Sequence, residues 1–441
     1  MQVIFTAGLL PAVSYGHTVN GFSNTELRTL QSTMLAPKTP AHKGCSRTIR
    51  LALLGDDTWR CAVGPALQYA KQFWIAATSS ANSLLTLVEL AKTWKDATFK
   101  VATTWQAAAG PIARMILSLE RIGWAMPSPN LWIDDNGKQV HLSQNSPAML
   151  ASLLKLAVQR QNERLATYKI DPQLAEGGGR LCFDLARRYT SSTAKFKELD
   201  AREKYVVRTA IVGGLWTEEV ALARGYDSTG LCPLCSLPDS PHHRAWCCQH
   251  PDVVAARTAI ACPDVISQAV AQPSDHHWTT GLFEHPGDTW PKPTDKAGVK
   301  VYNKFGSDIT PSLMHLELGG IAVTDGSCYP SLVKECSRAA WSAVFLDPTD
   351  LAIQAIIIGP VCRNVFQTPQ AAEHIGLLAA ADFAQTPWSA RCDCTAVISM
   401  ALMHPQQRLA CEIQHAGLWL TARKFPGLQL LTTASHTKAH R

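Results

Sequence analysis

The chain has 441 residues, 46% of them hydrophobic and 17% charged, with 14 cysteines and a net charge of +6. That balance excludes a disordered polyelectrolyte, and the length allows two or three domains with cores of their own. No uninterrupted apolar run reaches the roughly 18 residues of a membrane span, and the apolar start "MQVIFTAGLLPAVSYG" lacks the basic lead of a secretory signal. The expectation is an intracellular protein, nuclear or cytoplasmic, without a membrane partner and with reduced cysteines.

Charge is unevenly spread. Residues 1–230 carry 26 Lys/Arg against 18 Asp/Glu, whereas residues 231–441 carry 15 against 17. A polyanion-binding segment joined to an acid-centred domain has this distribution.

Residues 1–229 read as helical. "SNTE" at 23–26 has the spacing of a capping box. In "NSLLTLVELAKTW", Leu84, Leu87, Val88 and Ala91 fall on one helical face. Ser146 before Pro147 starts another helix, with Leu150, Leu153, Leu154 and Ala157 as its apolar stripe. "EGGGR" at 176–180 lacks the Gly-Lys-Ser/Thr of a phosphate loop and reads as a connector. "EKYVVRTAIVGGLWTEEVALARGY" is a last helical stretch.

Residues 230–250 contain Cys232, Cys235, His243 and Cys248 within "CPLCSLPDSPHHRAWCC". Two cysteines on a tight turn and a His and Cys a short loop away match a closed, structural tetrahedral zinc site. His242 and Cys247 are adjacent alternatives for the third and fourth ligands. Single-stranded nucleic acid is the usual partner of such a knuckle.

Residues 262–312, rich in Pro, Asp and Gly, read as a linker. From 313 to 441 the texture is that of an α/β domain with a mixed sheet. "LGGIAVTDGS", "AAWSAVFL" and "AIQAIIIGPV" are strand-like, "QTPQAAEHIGLLAAADFA" is a helix with Leu377, Leu378 and Ala381 inward, and "RCDCTAVISM" is a strand turning into helix. Asp325 ends the first of these strands, where an acid is costly unless something pairs with it. Glu373 opens the helix and Asp393 ends the later strand. Carboxylates converging from apolar elements suit Mg²⁺.

"TDGS", "AAEHIGLLAAA" and "CDCTAVI", in that order and context, resemble the type 1 ribonuclease H domain. The stretch "LLPAVSYGHTVNGFSNTELRTLQ" and the segment "GLWTEEVALARGYDSTGLCPLC…HRAWCC" resemble the regions that follow the reverse transcriptase palm in non-LTR retrotransposon polyproteins, with residues 1–229 as thumb or connection. The palm itself has no counterpart, because "GDDTW" at 55–59 lacks the aromatic residue before the acids. The resemblance implies hydrolysis of RNA in RNA–DNA hybrids with two Mg²⁺ or Mn²⁺ ions. It assigns Asp325 to bridge the ions, Glu373 and Asp393 to hold one each, and His440 in "SHTKAHR" to product release or proton transfer. The family's final Asp and closing helix have no counterpart, so a C-terminally truncated domain with impaired activity is expected. A catalytically inactive nucleic-acid-binding remnant is the alternative expectation.

Overall fold

The computed structural model describes residues 5–38, 40, 44–78, 86–99, 104–191, 199–288, 298–310, 317–362 and 365–437. The architecture is α+β, divided into two compact units. Residues 1–14, 24–59 and 158–288 make the first unit, and residues 15–23, 60–157 and 289–441 the second. No helix among the described residues is long and apolar enough to cross a membrane, although the bent pair Pro251–Ile260 and Pro263–Ala271 would pass together by length and composition. All 14 cysteines are free thiols.

In the second unit, the strands β1 (Ala125–Ser128), β2 (Leu131–Ile133) and β3 (Gln139–His141) form a small antiparallel meander. It interrupts the expected all-helical first half. Its turn is built by Asp134, whose side chain accepts from the backbone N–H groups of Asn136 and Lys138, and by Gly137 at φ 75°. The helix expected around Leu84 starts later, at Leu87. Thr86 and Glu89 cap each other there, which fixes the start. Leu90 is buried, whereas Leu87 and Val88 are exposed, and Leu84 lies outside the described residues. The stripe of the Pro147–Ile170 helix is as expected at Leu150, Leu154 and Ala157, which are fully buried.

In the first unit, β4 (Leu181–Cys182) pairs with β5 (Phe283–Glu284). Leu181, Phe183, Ile211 and Leu282 share a core with Ile49 and Leu53. Beneath them Glu163, 2% exposed, takes Arg180 at 2.6 Å and Arg187 at 2.7 Å, so its buried charge is paired. The stretch 262–312 is not the linker its composition predicts. It holds the helices Pro263–Ala271 and His276–Thr280, β5, and β6 (Lys300–Tyr302). Pro263 sits in a first helical turn, and the side chain of Asp275 caps the next helix through His277 N–H. Residues that punctuate loops also start helices.

The main sheet lies in the second unit, with β7 (Leu318–Tyr329), β8 (Arg338–Leu346), β9 (Ile353–Pro360), β10 (Ala384–Cys392) and β11 (Leu431–His436) joining β6 in the order β11-β10-β7-β8-β9-β6. β7, β8, β9 and β6 are antiparallel neighbours, and β10 and β11 run parallel to β7. The Pro369–Phe383 helix, capped by Thr368, packs on β7 and β8 through small residues, Ala372, Gly376 and Ala380 among them. Phe345, Ile357, Leu377, Trp388 and Trp419 fill the core. The strands, helix, strand and further helix stand in the expected sequence order.

Candidate metal centres

The first centre is built by local chain geometry in the first unit. Leu231 and Pro238 bridge like a miniature hairpin, and Cys232 N–H donates to Leu237 C=O at 2.7 Å. Ser236 closes the loop at φ 58°, a left-handed conformation rare for a residue with a side chain. Backbone N–H groups of Leu234 and Cys235 aim at the Cys232 sulfur and hold its thiol below the usual range. That pattern stabilises a thiolate ready to bind metal. A single π-helical turn, His243–Cys247, then brings in the remaining donors.

Donor atoms of Cys232, Cys235, His243 and Cys248 lie within 4.8 Å of one another, with Cys235 Sγ 3.1 Å from His243 Nε2. The cluster can hold a metal, and three thiols with one imidazole are compatible with structural zinc. His242 and Cys247, the alternative ligands, fall outside this group. His242 Nε2 is 2.8 Å from the carbonyl of Ala269, and its Nδ1 is 3.5 Å from Cys247 Sγ, so both residues are occupied away from the four donors. Fully buried Asp239 braces the loop by accepting from Arg244 at 2.8 and 2.5 Å and from Glu218 N–H at 2.7 Å.

Another group in this unit, Cys182, Asp184 and His285, has metal-like proximity but the wrong chemistry. His285 Nδ1 accepts from Gly287 N–H at 3.0 Å and faces Arg180 Nη2 at 3.1 Å. Asp184 is paired with Arg187 at 2.6 Å. Guanidinium groups already neutralise this site, which makes it a hydrogen-bonded network rather than a cation site.

The second centre is acidic and lies at one end of the main sheet. Thr324 on β7 is the register partner of Cys392 on parallel β10, so the next residues, Asp325 and Asp393, extend from adjacent strands. Asp325 is not at a strand tip, because β7 continues to Tyr329, and it is exposed rather than buried. The buried acid is Glu373, 7% exposed, in the first turns of the Pro369–Phe383 helix. Its Oε2 is 3.4 Å from Cys392 Sγ, and the Gly326 N–H also reaches its carboxylate. Burial pushes the Glu373 carboxyl up to about 7, with the charges of Asp393 and Asp325 adding to the effect. Burial likewise pushes the Cys392 thiol up to about 12. Glu373, Cys392 and Asp393 have donor atoms within 4.8 Å of one another.

Three features here were not read from the sequence. Cys392 joins the acids, a role hidden by its appearance as an ordinary buried strand residue. His436, at the end of β11, places Nε2 2.9 Å from the Asp393 carbonyl. His440, the histidine singled out within "SHTKAHR", lies outside the described residues. His374, the residue after Glu373, packs against His415 with ring centroids 4.8 Å apart and planes tilted by 42°, and Trp419 Nε1–H donates to His374 Nδ1 at 3.2 Å. A comparison with protein-family models, curated proteins and solved structures finds no match for this chain.

Proposed function

We propose that this chain is a metal-dependent nuclease of the ribonuclease H type, acting on RNA–DNA hybrids. The observation that carries the reading is Glu373, buried yet acidic, with the charges of Asp325 and Asp393 bearing on it from two neighbouring parallel strands. Repulsion among these carboxylates is relieved by a divalent cation. The succession of strand acid, helix acid and strand acid is also the one the ribonuclease H resemblance implies.

In this reading the exposed Asp325 and the Glu373 and Asp393 carboxylates would hold the metal, Asp325 from the solvent side. Mg²⁺ or Mn²⁺, when bound, supplies activation of the attacking water and stabilisation of the leaving 3′ oxygen. Gly326 keeps the helix close enough for its own N–H to orient Glu373. The Cys232/Cys235/His243/Cys248 knuckle and the basic first 230 residues would bind single-stranded nucleic acid through phosphate contacts, with affinity that falls as salt rises. An intracellular address, nuclear or cytoplasmic, belongs to the same reading.

The test is a labelled RNA–DNA duplex incubated with Mg²⁺ or Mn²⁺ and with wild type, Asp325→Asn or Asp393→Asn. The expected result is RNA-strand cleavage by wild type alone and none of double-stranded DNA. Cleavage that survives both substitutions removes these acids as the site. The Cys392 sulfur among hard oxygen donors favours a second reading, an inactive remnant that still binds nucleic acid. In that case no variant cleaves and salt-sensitive binding persists in all of them.

A further inference from the structure

We propose that Glu373, Cys392 and Asp393 form a second zinc site, in which one thiolate and two carboxylates hold a Zn²⁺ ion that excludes the hard divalent ions of the nuclease reading. The inference shares its place in the fold with that reading and deepens it by naming the ion that would shut the site off.

The geometry is already close to a zinc shell. Tetrahedral zinc with a thiolate and a carboxylate oxygen sets those donors about 3.6 Å apart, given usual Zn–S and Zn–O bond lengths. Glu373 Oε2 and Cys392 Sγ are 3.4 Å apart, and the Asp393 carboxylate falls within the same 4.8 Å group. Two of the donors are held rigidly. Cys392 is 1% exposed and accepts from Cys394 N–H at 3.3 Å, and Glu373 is 7% exposed and accepts from Gly326 N–H. Side chains fixed in this way lose little further entropy when a metal arrives.

A buried hydroxyl also lies beside these donors. Thr324, 3% exposed and in register with Cys392, reaches the Cys392 sulfur with its side chain, a contact that favours the thiolate. Donor type decides between ions. Magnesium demands oxygen ligands and dehydrates reluctantly, whereas zinc takes sulfur and oxygen together. The Cys392 proton is released to solvent as the thiolate forms on the metal.

The experiment measures zinc directly. The 441-residue chain, carrying zinc at the Cys232/Cys235/His243/Cys248 cluster, is dialysed to equilibrium against Zn²⁺, and the bound metal is counted per chain. Wild type is expected to hold two ions, Cys392→Ser one, and Cys262→Ser, which alters an exposed thiol elsewhere, two. In a parallel Cd²⁺ titration, the ultraviolet thiolate-to-metal band of the second equivalent is expected to vanish in Cys392→Ser. Should Cys392→Ser fail to fold, Glu373→Gln serves in its place and is also expected to hold one ion. A wild type that holds a single zinc, or a folded Cys392→Ser or Glu373→Gln that still holds two, overturns the proposal. Because zinc is counted without any substrate, two ions with no hybrid cleavage would leave this inference standing and remove only the nuclease reading. Mg²⁺-dependent cleavage by a protein with one zinc would do the reverse.

Discussion

A Cβ placed on Gly326 would lie 2.3 Å from the backbone nitrogen of Glu373, so β7 and the Pro369–Phe383 helix meet backbone to backbone at the acidic centre. No side-chain rotation relieves that contact, since Ala372 C is also only 2.7 Å away. Gly326→Ala therefore has to push the helix outward, and overpacking of this kind costs about 1–3 kcal/mol. Urea unfolding is expected to show that loss, together with weaker stabilisation by added divalent metal. Gly298→Ala, where a new Cβ meets nothing within 4 Å, should leave stability unchanged. Equal stability of Gly326→Ala and wild type would show that the close approach is not needed.

Glu373 gives the acidic centre a pH signature. Its folded pKa of about 7 stands above the ordinary 4.5, so the folded state takes up the proton first as pH falls. The stability this group contributes is complete below about 4.5 and is lost as pH rises through 7. Glu373→Gln, which cannot ionise, is expected to melt higher than wild type above about pH 8, with the gap closing toward pH 5. Divalent metal should narrow the gap from the wild-type side only. Melting curves that run parallel across this range would mean that Glu373 is not held as a strained buried acid.

Much of this was readable in the sequence because the relevant signals are local. Cys232, Cys235, His243 and Cys248 lie on one short loop, so their spacing alone points to a metal site, with His242 and Cys247 left open as alternative ligands. Asp325, Glu373 and Asp393 stood out as acids on apolar elements. Which of them is buried was not legible. Asp325 looked like the costly acid, yet the cost falls on Glu373, because burial is decided by where a helix docks on the sheet through Gly326. The packing of His374 against His415 and the placing of His436 beside Asp393 likewise depend on contacts between distant segments. The β1–β3 meander was missed for a different reason: "DDNG" is a strong local turn signal, but flanking helices outweighed it.

His374 and His415 should set the acid limit of the fold. Both are buried, and burial lowers His374 to about 3 and His415 to about 4, from an ordinary 6.5. Here the unfolded chain binds protons first, so stability is full above 6.5 and falls as pH drops toward 4. Each such group contributes a slope of up to about 1.4 kcal/mol per pH unit. The slope of unfolding free energy against pH between about 4 and 6 is expected to flatten in His415→Leu by one proton's worth. The slope is the decisive quantity, because the substitution also changes packing at every pH. An unchanged slope would place the acid sensitivity elsewhere.

The Cys232/Cys235/His243/Cys248 cluster makes a prediction that also separates neighbouring ligands. Structural zinc sites of this size draw their folding energy from the metal, so a lost ligand releases the ion and loosens the loop. Cys232→Ser combined with Cys235→Ser is expected to lower zinc content by about one ion per chain. His243→Ala should do the same, because its Nε2 lies 3.1 Å from Cys235 Sγ within the donor group. His242→Ala should keep the ion, since His242 spends Nε2 on the Ala269 carbonyl and Nδ1 on Cys247. Cys248→Ser should lose it and Cys247→Ser retain it, for the matching reason. Metal analysis of the purified variants decides the matter. If His242→Ala releases zinc while His243→Ala retains it, the pairing of donors described here is wrong and the loop binds its metal through the other histidine.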